Sequence, residues 1–165
     1  MMVALLEGGI PQQTWLWHPL KEVLYYAKAG VGAYRIDGRD IARLSVNNTL
    51  PAIEQLVGEG STKFLKQPFR GEFIERIKRF ENRVSLRCAG VLAMKLAAGD
   101  IHFIMHGTCT PWDHAPVDLL CREAGAYAGM SVDGRPFNAA YNEPFMVAAS
   151  KSLWNQLNRE IWRGE

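Results

Sequence analysis

The apolar residues of this chain change their period partway along it. Through residue 41 they come in short runs closed by glycine and proline turns. From Glu72 onward they recur at helical spacing between further short apolar runs. Side chains alternate across a strand but return to one face of a helix every 3.6 residues, so the two patterns cannot share one element type. A chain that carries both must lay helices against a sheet. The pattern therefore predicts an α/β fold, with helices packed on a mixed sheet, preceded by an antiparallel β-meander.

In the meander, Val3–Leu6 is a short apolar strand closed by Glu7-Gly8-Gly9-Ile10-Pro11, where the glycines supply the positive φ of a tight turn. Thr14–Trp17 ends before Pro19, which cannot donate to a central ladder. Glu22–Lys28 is rich in β-branched and aromatic residues, and Ala33–Ile36 runs into an Asp37-Gly38 turn. Gly30-x-Gly32 between these runs lacks the third glycine and the following helix of a dinucleotide loop, so it reads as a hairpin turn.

Residues 42–71 carry Pro51, Gly58, Gly60 and Pro68 and give little signal beyond a helical turn near Ile53–Leu56. Phe73, Ile74, Ile77 and Phe80 then share a helical face, and Arg83–Leu86 reads as a strand. Ala89, Leu92, Ala93, Leu96 and Ala97 form the stripe of a helix from Cys88 to Ala98, stopped by Gly99. Ile101–Met105 is a strand, and Asp113 opens a helix to about Ala124. Tyr127–Ser131 and Phe145–Ala149 are strands, and Ser150 caps a last helix striped by Leu153, Trp154, Leu157 and Ile161. Residues 1–165 read as one domain, a meander over 1–41 and an α/β portion over 72–165, with no linker or repeat.

Composition removes several function classes. A net charge of +2 gives no electrostatic footprint for nucleic acid, and Arg76-Ile77-Lys78-Arg79 sits among Glu72, Glu75 and Glu81, as a solvated helix face does. No apolar run approaches the ~18 residues of a membrane span, and the opening Met-Met-Val-Ala-Leu-Leu lacks the basic leader of a signal peptide. Cys88, Cys109 and Cys121 are an odd set without CxxC spacing, which points to a reducing, cytoplasmic setting rather than a disulfide frame or zinc knuckle. Cys88 and Cys121 fall on helical stretches with no base spaced to activate them, and are expected to be buried thiols.

Chemistry concentrates where the 113–124 helix begins. A carboxylate at that point can accept first-turn N–H groups, and the positive helix end lowers the cost of its charge. Such a helix start can also gather a phosphate or a divalent cation's anionic cluster, but on these grounds plain capping is the favoured reading of Asp113. Pro116 is expected in the first turn, where its missing N–H is not needed.

The run Trp112-Asp113-His114-Ala115 with Glu123-Ala124-Gly125 resembles the second signature of the inositol monophosphatase family. Further runs resemble that family in the same order. They are His18-Pro19-Leu20-x-Glu22-x-x-x-Tyr26-Ala27-x-x-Gly30-x-Gly32-Ala33, Ala97-Ala98-Gly99, Asp133-Gly134-Arg135-Pro136 and the strand Phe145–Ala149. The resemblance implies Mg²⁺-dependent hydrolysis of a small phosphomonoester, an inositol phosphate or related sugar phosphate. It implies that Asp113 is a metal ligand and that position 106, usually a glutamate, contacts a substrate hydroxyl. Here that position is His106, which hydrogen-bonds but brings no fixed negative charge at neutral pH. A strand-end histidine satisfied by backbone is the alternative for His106. Val117 and Ala126 stand where the family has glycines, and Val117 lies near the expected metal unless it turns into the core.

The family's glutamate pair and Asp-Pro-Ile-Asp-Gly-Thr loop, which supply its other ligands, have no counterpart here. Arg35-Ile36-Asp37-Gly38 lacks the first aspartate. One carboxylate cannot hold clustered Mg²⁺ ions, so the expectation is a truncated enzyme, inactive alone. The alternative is a non-catalytic binding or oligomerisation module that keeps the fold without metals. A missing N-terminal layer would bare a sheet face and edge, from which a homo-oligomer is expected.

Overall fold

The computed structural model describes residues 1–47, 49 and 51–165. The first sheet is an uninterrupted antiparallel meander, β1 (Met2–Glu7), β2 (Ile10–His18), β3 (Val23–Lys28), β4 (Gly32–Asp37) and β5 (Asp40–Arg43), paired in sequence order. The sequence reading stopped before β5. All four of its residues are exposed, so it carries no alternation to read. Thr14, Leu16, Val23, Tyr25, Ala27 and Ala33 bury one face of this sheet. The other face carries the cross-strand row Val3, Trp15, Tyr26 and Tyr34.

The second sheet is mixed, in the order β7-β6-β8-β10-β9. Its strands are β6 (Val57–Gly60), β7 (Asn82–Arg83), β8 (Phe103–His106), β9 (Tyr127–Met130) and β10 (Phe145–Ala148). β6 runs parallel to β7 and β8, while β10 is antiparallel to both β8 and β9. The helices are α1 (Phe69–Ile77), α2 (Ala89–Ala97), α3 (Pro111–Glu123) and α4 (Lys151–Leu157), the last running into a π-helical turn over Asn158–Arg163. Helix α3 crosses the buried face of the first sheet beside α2, and it also meets β9 as α2 meets β8. The two helices thus lie between the sheets. α4 packs on β9 and β10, and the π turn continues onto α1. Every residue of β8 and β10 is buried, as requires cover on both faces of the sheet.

The α/β class, the mixed sheet and the preceding meander are as the sequence indicates. Three local expectations are corrected. The strand expected over Arg83–Leu86 is only Asn82–Arg83, because past β6 the Leu86 N–H goes to the buried Glu59 carboxylate at 2.8 Å instead of a ladder. Pro116 lies in the interior of α3, not in its first turn. Its ring leaves the Trp112 carbonyl without its usual i+4 donor, near the exposed end of the helix where water can take over. Cys88 is exposed at the N-cap of α2, whereas Cys109 and Cys121 are buried.

The basic run on α1 behaves as a solvated face. Arg76 pairs with Glu72 at 2.8 Å and Lys78 with Glu75 at 2.6 Å, while Ile77 turns inward. Among the described residues no helix is long and apolar enough to cross a membrane.

Candidate active site

The site is built where β8 delivers the chain to α3. Thr110, with extended φ and ψ of −129° and 134°, is the N-cap, and Pro111 opens the helix. Proline suits this place because its fixed φ is helical and its absent N–H is not missed. Asp113 is therefore the third helical residue, not the cap. Its carboxylate still sits in the first turn, where the helix dipole favours negative charge. It is half-buried, beside the exposed Trp112, and accepts from the Thr110 hydroxyl at 3.3 Å. Asp113 is open to solvent, not sealed in the core.

The capping that the Thr110 side chain does not supply comes from His114. The Thr110 N–H donates to His114 Nδ1 at 2.9 Å, one residue beyond where the glutamate of a capping box would reach back. The Thr110 carbonyl already accepts the His114 N–H at 2.9 Å. Neutral His114 thus keeps its proton on Nε2. On protonation Nδ1 can turn donor to that carbonyl, 3.0 Å away.

His106, the last residue of β8, is buried against His114. Their ring centroids are 4.3 Å apart at 77°, and Phe145 lies beside both. Neither Nε2 has a hydrogen-bond partner among the described residues. The backbone satisfaction offered as an alternative for His106 is thus not seen at Nε2. Burial lowers the pKa of His106 well below the usual histidine value, with His114 adding to the effect. Burial also lowers His114, opposed in part by its hydrogen bond to the Thr110 backbone and then by the Asp113 carboxylate. The pair is neutral at pH 7, with both Nε2 atoms buried.

The structure thus brings His106 and Asp113 to the two ends of one short loop and adds His114, which the sequence reading passed over. The signal available was Thr110-x-x-x-His114 around a helix start. Val117 is fully buried and points into the core, away from the mouth of the site. Cys109, beside the site and also buried, has its thiol pushed up to about 12 by desolvation and is no nucleophile. Among the described residues no three His, Cys, Asp or Glu side chains converge as a metal-binding group.

The signature's other end has a structural task. Glu123, closing α3, accepts the N–H groups of Gly30 and Gly32 at 2.9 Å each and so ties α3 to the β3–β4 turn. Gly30 and Gly32 hold φ of 72° and 122°, which a side chain would resist. The two glycines that failed as a dinucleotide loop serve as a clamp for this carboxylate.

A profile described as the inositol monophosphatase family matches residues 1–164. A protein of Thermotoga maritima named fructose-1,6-bisphosphatase/inositol-1-monophosphatase is 31% identical over 140 residues, 83% of this chain and 50% of that protein. Among solved structures, an inositol monophosphatase from Zymomonas mobilis superposes with a TM-score of 0.84 at 13% identity, covering 98% of this chain and 61% of its own. Inositol monophosphatase II from Staphylococcus aureus superposes at 0.82 with 22% identity, covering 97% and 59%. At these identities the superpositions establish the fold. The chain spans half the length of the curated relative it matches and about three-fifths of these solved chains. With the profile matched along nearly its whole length, this chain belongs to the inositol monophosphatase family.

Proposed function

We propose that the chain carries one corner of a Mg²⁺-dependent phosphomonoesterase site. In this reading Asp113 is a metal ligand and His106 meets a hydroxyl of a small phosphorylated substrate, an inositol phosphate or related sugar phosphate. The observation that carries it is a solvent-reached carboxylate in the first turn of α3, within the Trp-Asp run of a family named for this hydrolysis. Bound magnesium supplies Lewis acidity and a water of lowered pKa. The residues present do not fit the ion on their own, since octahedral Mg²⁺ wants about six oxygens and Asp113 and Thr110 offer few. We therefore read the 165 residues as silent in hydrolysis without further carboxylates, and as working in a reducing cytoplasm.

Two measurements test this. Inositol 1-phosphate with Mg²⁺ should release no phosphate above background, and robust turnover overturns the claim of silence. Mn²⁺ should broaden the backbone amide signals of Thr110–His114 in the native chain and not in Asp113→Asn. Equal broadening in both removes Asp113 from the role of ligand.

A second reading, a non-catalytic module that associates with itself, has its own support. Val3, Leu5 and Ile41 of the first sheet are 49%, 52% and 68% exposed, an apolar display unusual for a sheet that stays alone.

A further inference from the structure

Tyr25 is held in the core by its ring and left unpaired at its tip. It is 9% exposed, on the buried face of the first sheet. Its hydroxyl has no hydrogen-bond partner among the described residues, yet it is not one of the atoms sealed from solvent. A tyrosine buried to this degree usually finds a partner for its hydroxyl, so the exception calls for an explanation. Tyr25 lines a hollow of about 180 Å³ between α2 and the turn that joins β2 to β3. From α2 the hollow takes Val91, Met94 and Lys95, which share one helix face at i, i+3 and i+4. Asp100, just past α2, and Lys21, on the turn, complete its charged part.

We propose that this hollow binds a small organic carboxylate, one negative charge on a short apolar body. The groups that meet the charge are donors, the Tyr25 hydroxyl and the ammonium groups of Lys21 and Lys95. Lys95 is held only loosely within the chain, its Nζ 3.5 Å from Asp100 Oδ2, and Lys21 is exposed with no ion-pair partner among the described residues. Two lysines against one aspartate leave a single positive charge, which matches a monoanion and disfavours an ammonium. Val91 and Met94 supply an apolar wall for the body, so a bare inorganic anion forgoes part of the contact. The hollow is well below the about 300 Å³ at which drug-sized pockets begin, which limits the ligand to one ring or a short chain. The site draws on α2 and the first sheet and uses neither Asp113 nor His106. It stands or falls apart from the phosphate chemistry assigned to them.

The probes are benzoate, with an aromatic body, and pentanoate, with an aliphatic one, titrated into the full chain with amide signals followed by NMR. Benzamide keeps the ring without the charge, and inorganic phosphate keeps charge without an apolar body. A carboxylate is expected to bind in about the millimolar range, with Tyr25, Val91, Met94 and Lys95 shifting most. Benzamide and phosphate should each bind about tenfold more weakly. Tyr25→Phe, which removes only the hydroxyl and keeps the ring in the core, should weaken binding about fivefold. Lys21→Met with Lys95→Met, both on the surface, should weaken it about tenfold. Binding of only one carboxylate fixes which body the hollow accepts, and supports the proposal. The proposal is overturned if the folded native chain shows no shifts at these positions, or if benzamide or phosphate binds as tightly as the carboxylates. It is equally overturned if either folded variant binds as the native chain does.

Discussion

His114 satisfies the first N–H of α3 with one ring nitrogen and leaves the other bare against His106. Replacing it with alanine removes the only partner of the Thr110 N–H among the described residues, and a lost cap costs about 1 kcal/mol. Urea unfolding of His114→Ala should show that loss, and an unchanged midpoint would assign the cap to water. The His106 pair also sets a pH dependence. Its folded pKa lies well below the ordinary 6.5, so between the two values the unfolded chain binds more protons than the folded one. Stability from this residue is therefore full above about pH 6.5 and falls as pH drops toward the folded value. His106→Gln should flatten the stability curve below pH 6.5, and a slope identical to the native chain's would place the titration elsewhere. At this scale the sequence made Asp113 legible as an acid at a helix start. It did not reveal that Thr110 is the cap, because Thr110-Pro111 and Asp113 offer two plausible starts and only the backbone decides between them.

At the scale of elements, the joint between α3 and the β3–β4 turn rests on one carboxylate. Glu123 accepts two backbone N–H groups, and hydrogen bonds to a charged acceptor contribute more than neutral ones, about 1.5–3 kcal/mol each before solvent competition. Glu123→Ala should leave the fold intact but speed amide exchange at Gly30 and Gly32 by about tenfold or more, since the turn then opens locally. Unchanged exchange there would mean the turn is held by its own strands. Neither motif announced this contact, because the partners stand 93 residues apart and both read as local turn chemistry. Strong periodicity made β2, β3, α2, α4 and β10 legible. β7 was misjudged for the opposite reason. Val84-Ser85-Leu86 has the alternation of a strand, yet the Leu86 N–H is taken by the Glu59 side chain, a tertiary contact that local pattern does not encode.

For the whole molecule, the two faces of the first sheet decide how the chain behaves in solution. One face is sealed by α3. The other carries Val3, Trp15, Tyr26 and Tyr34 across four strands, with Trp17, Leu24, Ile36 and Ile41 in a second row. Edge strand β1 adds Leu5 and Leu6 with a single charge, Glu7, at its end. Edges that stay unpaired usually carry lysine, proline or a strong bulge on the exposed side. β1 has a register shift between Leu5 and Leu6 but neither lysine nor proline. Burying these side chains releases about 25 cal/mol per Å², so a few hundred Å² of this face favours association by several kcal/mol before the cost of lost freedom. We predict a dimer or larger assembly at micromolar concentration, dissociated by Val3→Lys with Leu5→Lys. Both positions are about half exposed, so the lysines fit the monomer without strain. Light scattering separates the outcomes. A monomeric native chain counts against association through this face, and a double variant as large as the native chain moves the contact to another surface.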